Sequence, residues 1–175
     1  MIDNKVEEIK KHVEAIMNVL GIEKTESNEN TPLRVAKMYC NEVFQNRNNS
    51  NIEELNSRMK VFPNEGTTHP IDVHGVEFSS MCEHHWMPFM GKVSVTYVPN
   101  DSIIGLSKIP RVVKYFSKKP QLQERLTNEI GQYLVSILSP SYLKVEVTAV
   151  HTCVLCRGAE SKAKTSTYFE YLGED

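Results

Sequence analysis

Strong charge of one sign is missing from this chain. Its 175 residues carry 20 Lys and Arg against 22 Asp and Glu, a formal net charge of -2. That balance argues against a general nucleic-acid binder and leaves room only for a local basic patch. Also missing is any apolar run of membrane-spanning length, and Met1-Ile2-Asp3-Asn4-Lys5 lacks the charged-then-apolar layout of a signal peptide. Cysteine is sparse. Four cysteines without a secretory leader read as thiols or metal ligands in the cytoplasm more readily than as a disulfide framework. Neither an internal repeat nor a low-complexity tract occurs. No Gly-x4-Gly-Lys-Ser/Thr is found either, so a phosphorylated ligand would be held by side chains and not by a Gly-rich cradle. The length suits one compact domain with a real core, and a second would be cramped.

Apolar spacing supplies the elements. Val6, Ile9, Val13, Ile16 and Leu20 step by threes and fours, which predicts a helical stripe against the protein's own core, ended by Gly21. After a polar stretch over 23–30, Thr31 as N-cap and Pro32 at the first helical position launch a second helix through Phe44. The Asn-rich residues 45–50 read as a loop. The period then shortens to two. Ile71 and Val73, then Val76 and Phe78 after Gly75, predict one strand, and Val93, Val95 and Tyr97 another. Two helices follow, Ile109 to Phe116 and, past a break at Pro120, Leu122 to Leu138. Leu143, Val145, Val147 and Ala149 alternate as a strand with Thr165 to Leu172 as its hairpin partner. This order predicts an α+β domain, an antiparallel β-sheet with helices on one face.

The chemistry concentrates in two places, Cys82-Glu83-His84-His85 and His151-Thr152-Cys153. Thiolate and imidazole are ligands that zinc prefers. Three such ligands keep a fourth position for water, the mark of a catalytic zinc. Cys82 and His85 have a gap that lets one turn supply both, and Cys153 would complete the set. The competing arrangement pairs Cys82-x2-His85 with Cys153-x2-Cys156 as a closed structural site. On a strand continuing past Ala149, His151, Cys153 and Arg157 share one face and Cys156 takes the other. A structural pair needs a tight turn, so this pattern favours the open site and makes Cys156 a packing thiol. His84 and His151 remain as imidazoles beside the metal, suited to proton transfer near neutral pH.

Further groups suit an anionic ligand. Ser107 can cap the helix carrying Lys108 and Arg111, whose N-terminal amides favour an anion. Taken alone, that is an ordinary solvated helix start. Arg157 beside the metal adds a bidentate cation for a phosphate chain. Gln123-Glu124 opens the next helix. Glu124 beside Arg125 is an ordinary surface pair, yet a carboxylate can also accept from both N1–H and the 2-amino group of a guanine.

Five ordered stretches carry a resemblance: Thr31-Pro32-x-Arg34-Val35-Ala36-Lys37-Met38-Tyr39, Ser80-Met81-Cys82-Glu83-His84-His85, Gly105-Leu106-Ser107-Lys108-x-x-Arg111, Pro120-Gln121-x-Gln123-Glu124-Arg125-Leu126-Thr127 and His151-x-Cys153-x-x-x-Arg157-Gly158. From about Thr31 onward the chain resembles GTP cyclohydrolase I. The resemblance implies a tunnelling fold (T-fold), in which sheets from several subunits join into a barrel with helices outside. It implies a homodecamer of two face-to-face pentamers with active sites between subunits. A helical region over residues 1–50 would precede the T-fold catalytic region over 51–175. Cys82, His85 and Cys153 would bind Zn2+, and His84 and His151 would be the catalytic imidazoles. Ser107, Lys108, Arg111 and Arg157 would hold the triphosphate of GTP, with Arg34 contributing from a neighbour. Gln123 and Glu124 would read the guanine. The implied reaction converts GTP and water to 7,8-dihydroneopterin triphosphate and formate, first step of a tetrahydrofolate, pterin or deazaguanine route.

The chain departs from that pattern in three places. Lys118-Lys119 precedes Pro120 where many relatives have Arg, Cys156 is uncommon at its position, and a C-terminal helical extension common in relatives is missing after Thr165-x-Thr167. The alternatives are another tunnelling-fold purine or pterin enzyme of the nitrile reductase type, and a zinc-stabilised module that binds a nucleotide without turning it over.

Overall fold

The computed structural model describes residues 2–173. It forms two compact units, Met1–Gln45 and Asn46–Asp175. In the first, α1 (Ile2–Val19) packs on α2 (Thr31–Met38), which runs into a wider π-helical turn at Tyr39–Val43. The more covered side of α1 follows Val6, Ile9, Val13 and Met17. Ile16 and Leu20 depart from the expected stripe and stay 58% and 67% exposed. One helical position is a turn of about 100°, so Met17 takes the inward place that spacing alone gave to Ile16. Thr31 is the first helical residue instead of the cap, a place taken by Asn30 without a side-chain capping bond. Pro32 still falls in the first turn, where its missing N–H costs no hydrogen bond.

The second unit holds α3 (Ile52–Arg58), β1 (Val61–Pro63), β2 (Ile71–Cys82), β3 (Pro88–Val98), β4 (Ser102–Ile104), α4 (Lys108–Ser117), β5 (Pro120–Gln121), α5 (Gln123–Leu138), β6 (Tyr142–His151), α6 (Thr152–Leu155) and β7 (Lys164–Leu172). Its main sheet has the order β5-β2-β3-β6-β7, and β1 and β4 make a separate two-stranded ladder. Every pairing is antiparallel except β2 with β5, which run parallel. Sequence periodicity anticipated β2, β3, β6 and β7. It missed β1, β4, β5 and α3, whose few residues give a period no room to show.

Inward residues alternate as the period demands. Val93, Val95, Tyr97, Leu143, Val145 and Val147 are at most 1% exposed and meet Ile109, Val112, Leu126, Ile130 and Leu134 from α4 and α5. In β2 the inward parity switches between Val73 and Val76 because the register slips there, at Gly75 with φ of 72°. A bulge absorbs one residue, and glycine takes the left-handed backbone without a Cβ penalty. The consequence reaches the far end of β2. Ser80, Met81 and Cys82 arrive there buried.

Candidate active site

Cys82 closes β2 and Pro88 opens β3, so residues 83–87 form a tight connection between antiparallel strands. The Cys82 N–H donates to the Met87 carbonyl at 2.9 Å and the Trp86 N–H to the Cys82 carbonyl at 2.8 Å. The neighbouring pair, β3 and β6, sets Phe89 opposite His151. Thr152 then donates its hydroxyl to the Pro88 carbonyl at 2.5 Å. The register thus brings the second cysteine-bearing segment to the end of the sheet where Cys82 emerges.

The strand that was expected to run on through Cys153 and Arg157 ends at His151. Thr152–Leu155 is a single helical turn, closed by the Cys156 N–H on the Thr152 carbonyl at 2.9 Å. Strand parity therefore does not separate Cys153 from Cys156, and the tight turn that a closed site requires is present. Burial and position separate them instead. Cys153 is buried and Cys156 is exposed. One ligand atom each from Cys82, His85 and Cys153 lie within 4.8 Å of one another, and no other described His, Cys, Asp or Glu belongs to that group.

Two thiols and an imidazole suit zinc by softness. At metal–ligand distances of about 2.0–2.3 Å, tetrahedral donors stand roughly 3.5 Å apart, so a shift of about 1 Å closes the group on an ion. Both thiols are buried, whereas His85 is exposed and marks the solvent side. Burial pushes the Cys153 thiol up from its usual range, the adjacent Cys82 adds to the rise, and Arg157 offsets part of it. A thiol so placed resists ionising until a cation joins it.

His151 lies outside the ligand group and is fixed by its neighbours. Its ring stacks on that of Phe89, centroids 4.7 Å apart and planes parallel. Its Nε2 is 2.9 Å from Gln123 Oε1. The Gln123 amide cannot be turned round, because Nε2 donates to the carbonyls of Val147 and Thr165, each at 2.9 Å. Oε1 is thus an acceptor, so His151 carries its proton on Nε2 and keeps the Nδ1 lone pair. Burial lowers the His151 pKa, against a smaller upward pull from Glu124.

The remaining sequence candidates divide. Gln123 is 2% exposed with its whole amide spent inside the chain, so its hydrogen bonds serve His151 and the sheet. Glu124 is exposed and makes no hydrogen bond or ion pair among the described residues. Ser107, Lys108 and Arg111 stand at the start of α4, and Arg157 follows α6 close enough to act on Cys153. None of these three cations forms an ion pair with a described residue. His84 is exposed beside His85, ring centroids 6.3 Å apart. Arg34 is exposed on α2 of the N-terminal unit.

Sequence reasoning missed Phe89 and the pairing of Arg125 with Glu83. The second left a signal: side chains at i and i+1 of a helix do not face each other, so Arg125 was a poor partner for Glu124. Phe89 left none, since its place beneath His151 depends on the β3–β6 register.

Comparison with known proteins accords with this arrangement. The family model for GTP cyclohydrolase I matches residues 9–174. GTP cyclohydrolase 1 of Blochmanniella pennsylvanica is 40% identical over 163 residues, 91% of this chain and 71% of that protein. The Tolumonas auensis enzyme of the same name is 38% identical, covering 93% of this chain and 75% of its own. Among solved structures, an archaeosine synthase QueF-Like in the apo form superposes with a TM-score of 0.50 at 17% identity, over 64% of this chain and all of that one. That likeness bears on the fold alone, a T-fold. The chain belongs to the GTP cyclohydrolase I family.

Proposed function

We propose that this chain is a zinc-dependent GTP cyclohydrolase I, converting GTP and water to 7,8-dihydroneopterin triphosphate and formate at the head of a tetrahydrofolate, pterin or deazaguanine route. The observation that carries the reading is the convergence of Cys82, His85 and Cys153 from two separate segments, with Cys156 outside the group. Zinc held by these three would supply a water-derived nucleophile at neutral pH, since it lowers the pKa of bound water to about 7.

The chain's own residues orient the substrate and move its protons. Glu124 accepts from guanine N1–H and the 2-amino group, a role its unpaired carboxylate leaves open. Ser107, Lys108, Arg111 and Arg157 take the triphosphate, with Arg34 contributing from a neighbouring copy. Opening the five-membered ring at C8 requires a proton at N7. His151 relays it through Nδ1, whose free lone pair takes a proton from the attacking water and passes it to N7, because Nε2–H is committed to Gln123. A second hydrolysis releases C8 as formate. His84 and His151 then shuttle protons as the ribose opens and an Amadori-type rearrangement closes the pterin ring. Copies of the chain assemble as a decamer of two pentamers that shares these sites between subunits.

The test is incubation with GTP followed by a formate assay and fluorescence of the oxidised pterin, with and without chelator. Chelator-sensitive formate and fluorescence support the reading. Nucleotide binding without formate release contradicts it and points to a binding module. NADPH consumption on a nitrile substrate without formate points to a reductase.

A further inference from the structure

We propose that Glu83 and Arg125 are a positioning pair that locks the metal-ligand loop to the first turn of α5. The inference rests on the zinc reading above. Arg125 donates from Nη1 to Glu83 Oε2 at 2.5 Å and from Nη2 to Oε1 at 3.0 Å, a two-pronged pair with directional geometry. The arginine holds the Glu83 carboxyl below the usual carboxylate range. The main chain of Glu83 is tied as well, its N–H donating to the Gln121 carbonyl at 3.0 Å. One residue, lying between Cys82 and His84, is therefore anchored to β5 through its backbone and to α5 through its side chain.

The pairing has two consequences at the site. It fixes the path of the chain between the two ligands that this loop supplies, Cys82 and His85. It also engages Arg125 away from its sequence neighbour Glu124, whose carboxylate stays available. The other anion acting on Arg125 is Glu129, one helical turn further along α5. Glu129 already accepts from Lys119 Nζ at 2.8 Å and from Gln121 Nε2 at 2.7 Å. Removing Glu83 leaves Arg125 to compete for that occupied carboxylate, which disturbs the β5 segment beside Cys82 as well.

Magnitude separates positioning from plain stability. The side chains of Arg125 and Glu83 are 42% and 30% exposed, and ion pairs this open to water add little to folding stability. Groups that orient metal ligands have a larger effect where they act, and their loss typically costs about 10–100-fold in metal affinity or activity.

The experiment uses the full chain with Glu83→Gln, Arg125→Lys and the charge-swapped double variant Glu83→Arg/Arg125→Glu. Zinc affinity of the metal-free proteins is read by competition with a chromophoric chelator, alongside kcat and KM for GTP and the thermal midpoint. The expected result is a loss of about 10–100-fold in zinc affinity for each single variant, thermal midpoints close to wild type, and recovery of most of the loss in the double variant. Single variants with wild-type zinc affinity, or a double variant no better than the weaker single, overturn the pair while wild-type zinc binding stands. A wild-type protein that takes up no zinc overturns the zinc reading itself, and this inference with it.

Discussion

Phe89 and His151 lie ring on ring, parallel and 4.7 Å apart, and Phe89 is wholly buried. With Gln123 on Nε2, this leaves the imidazole one orientation and one free nitrogen. Replacing Phe89 by Leu keeps an apolar side chain but removes the flat support. The expected outcome is a fall in kcat with little change in KM for GTP and full zinc content. An unchanged kcat would show that the stack does not orient the reacting imidazole.

His151→Ala should lower kcat by about 10²–10⁴-fold, the usual worth of a positioned proton-transfer group. Its zinc content should match wild type, because neither ring nitrogen belongs to the ligand group. Loss of the metal in that variant would make His151 a ligand.

Cys156→Ala should change neither zinc content nor turnover. The thiol is exposed and outside the convergent group. Metal release from that variant would indicate a closed site with four protein ligands.

Gly131 on α5 faces Phe169 on β7 so closely that a Cβ there would lie 2.1 Å from the ring. Gly131→Ala therefore forces α5 off the sheet or turns the ring aside. The expected cost is about 1–3 kcal/mol, typical of overpacking, read as a lower denaturant midpoint. Because Gln123 and Glu124 begin the same helix, kcat should fall as well.

Burial raises the phenol pKa values of Tyr97, Tyr115 and Tyr133 above the ordinary value of about 10. Above that pH the unfolded chain releases protons that the native chain still holds. Stability is thus intact below pH 10 and declines as pH rises through the elevated native pKa values. Alkaline difference absorbance should show Tyr97, Tyr115 and Tyr133 ionising late, together with the loss of structure. Ionisation of Tyr97, Tyr115 and Tyr133 at the ordinary phenol value, with the fold intact, would contradict the burial.

Much of this was legible in the chain because two-residue periodicity is local. Val93, Val95 and Tyr97 declare a strand with no knowledge of their partners, as do Leu143, Val145 and Val147. The grouping of Cys82, His85 and Cys153 was legible because side chains able to bind zinc are few and their spacing is distinctive. What escaped depends on distant partners. Gln123 was read as a guanine contact, yet its amide is fixed by carbonyls 24 and 42 residues away, a distance that no local pattern encodes. The helical turn at Thr152–Leu155 escaped for a different reason. His151, Thr152 and Val154 continue a strand-like composition, and the turn is visible only once Thr152 bonds the Pro88 carbonyl.

X-ray absorption at the zinc edge of the purified protein examines the three-ligand site itself. Two sulfurs at about 2.3 Å with two nitrogen or oxygen neighbours at about 2.0–2.1 Å, one of them exchanging with added ligand, is the expected first shell. Three sulfurs, or a shell filled entirely by protein atoms, would contradict an open catalytic zinc held by Cys82, His85 and Cys153.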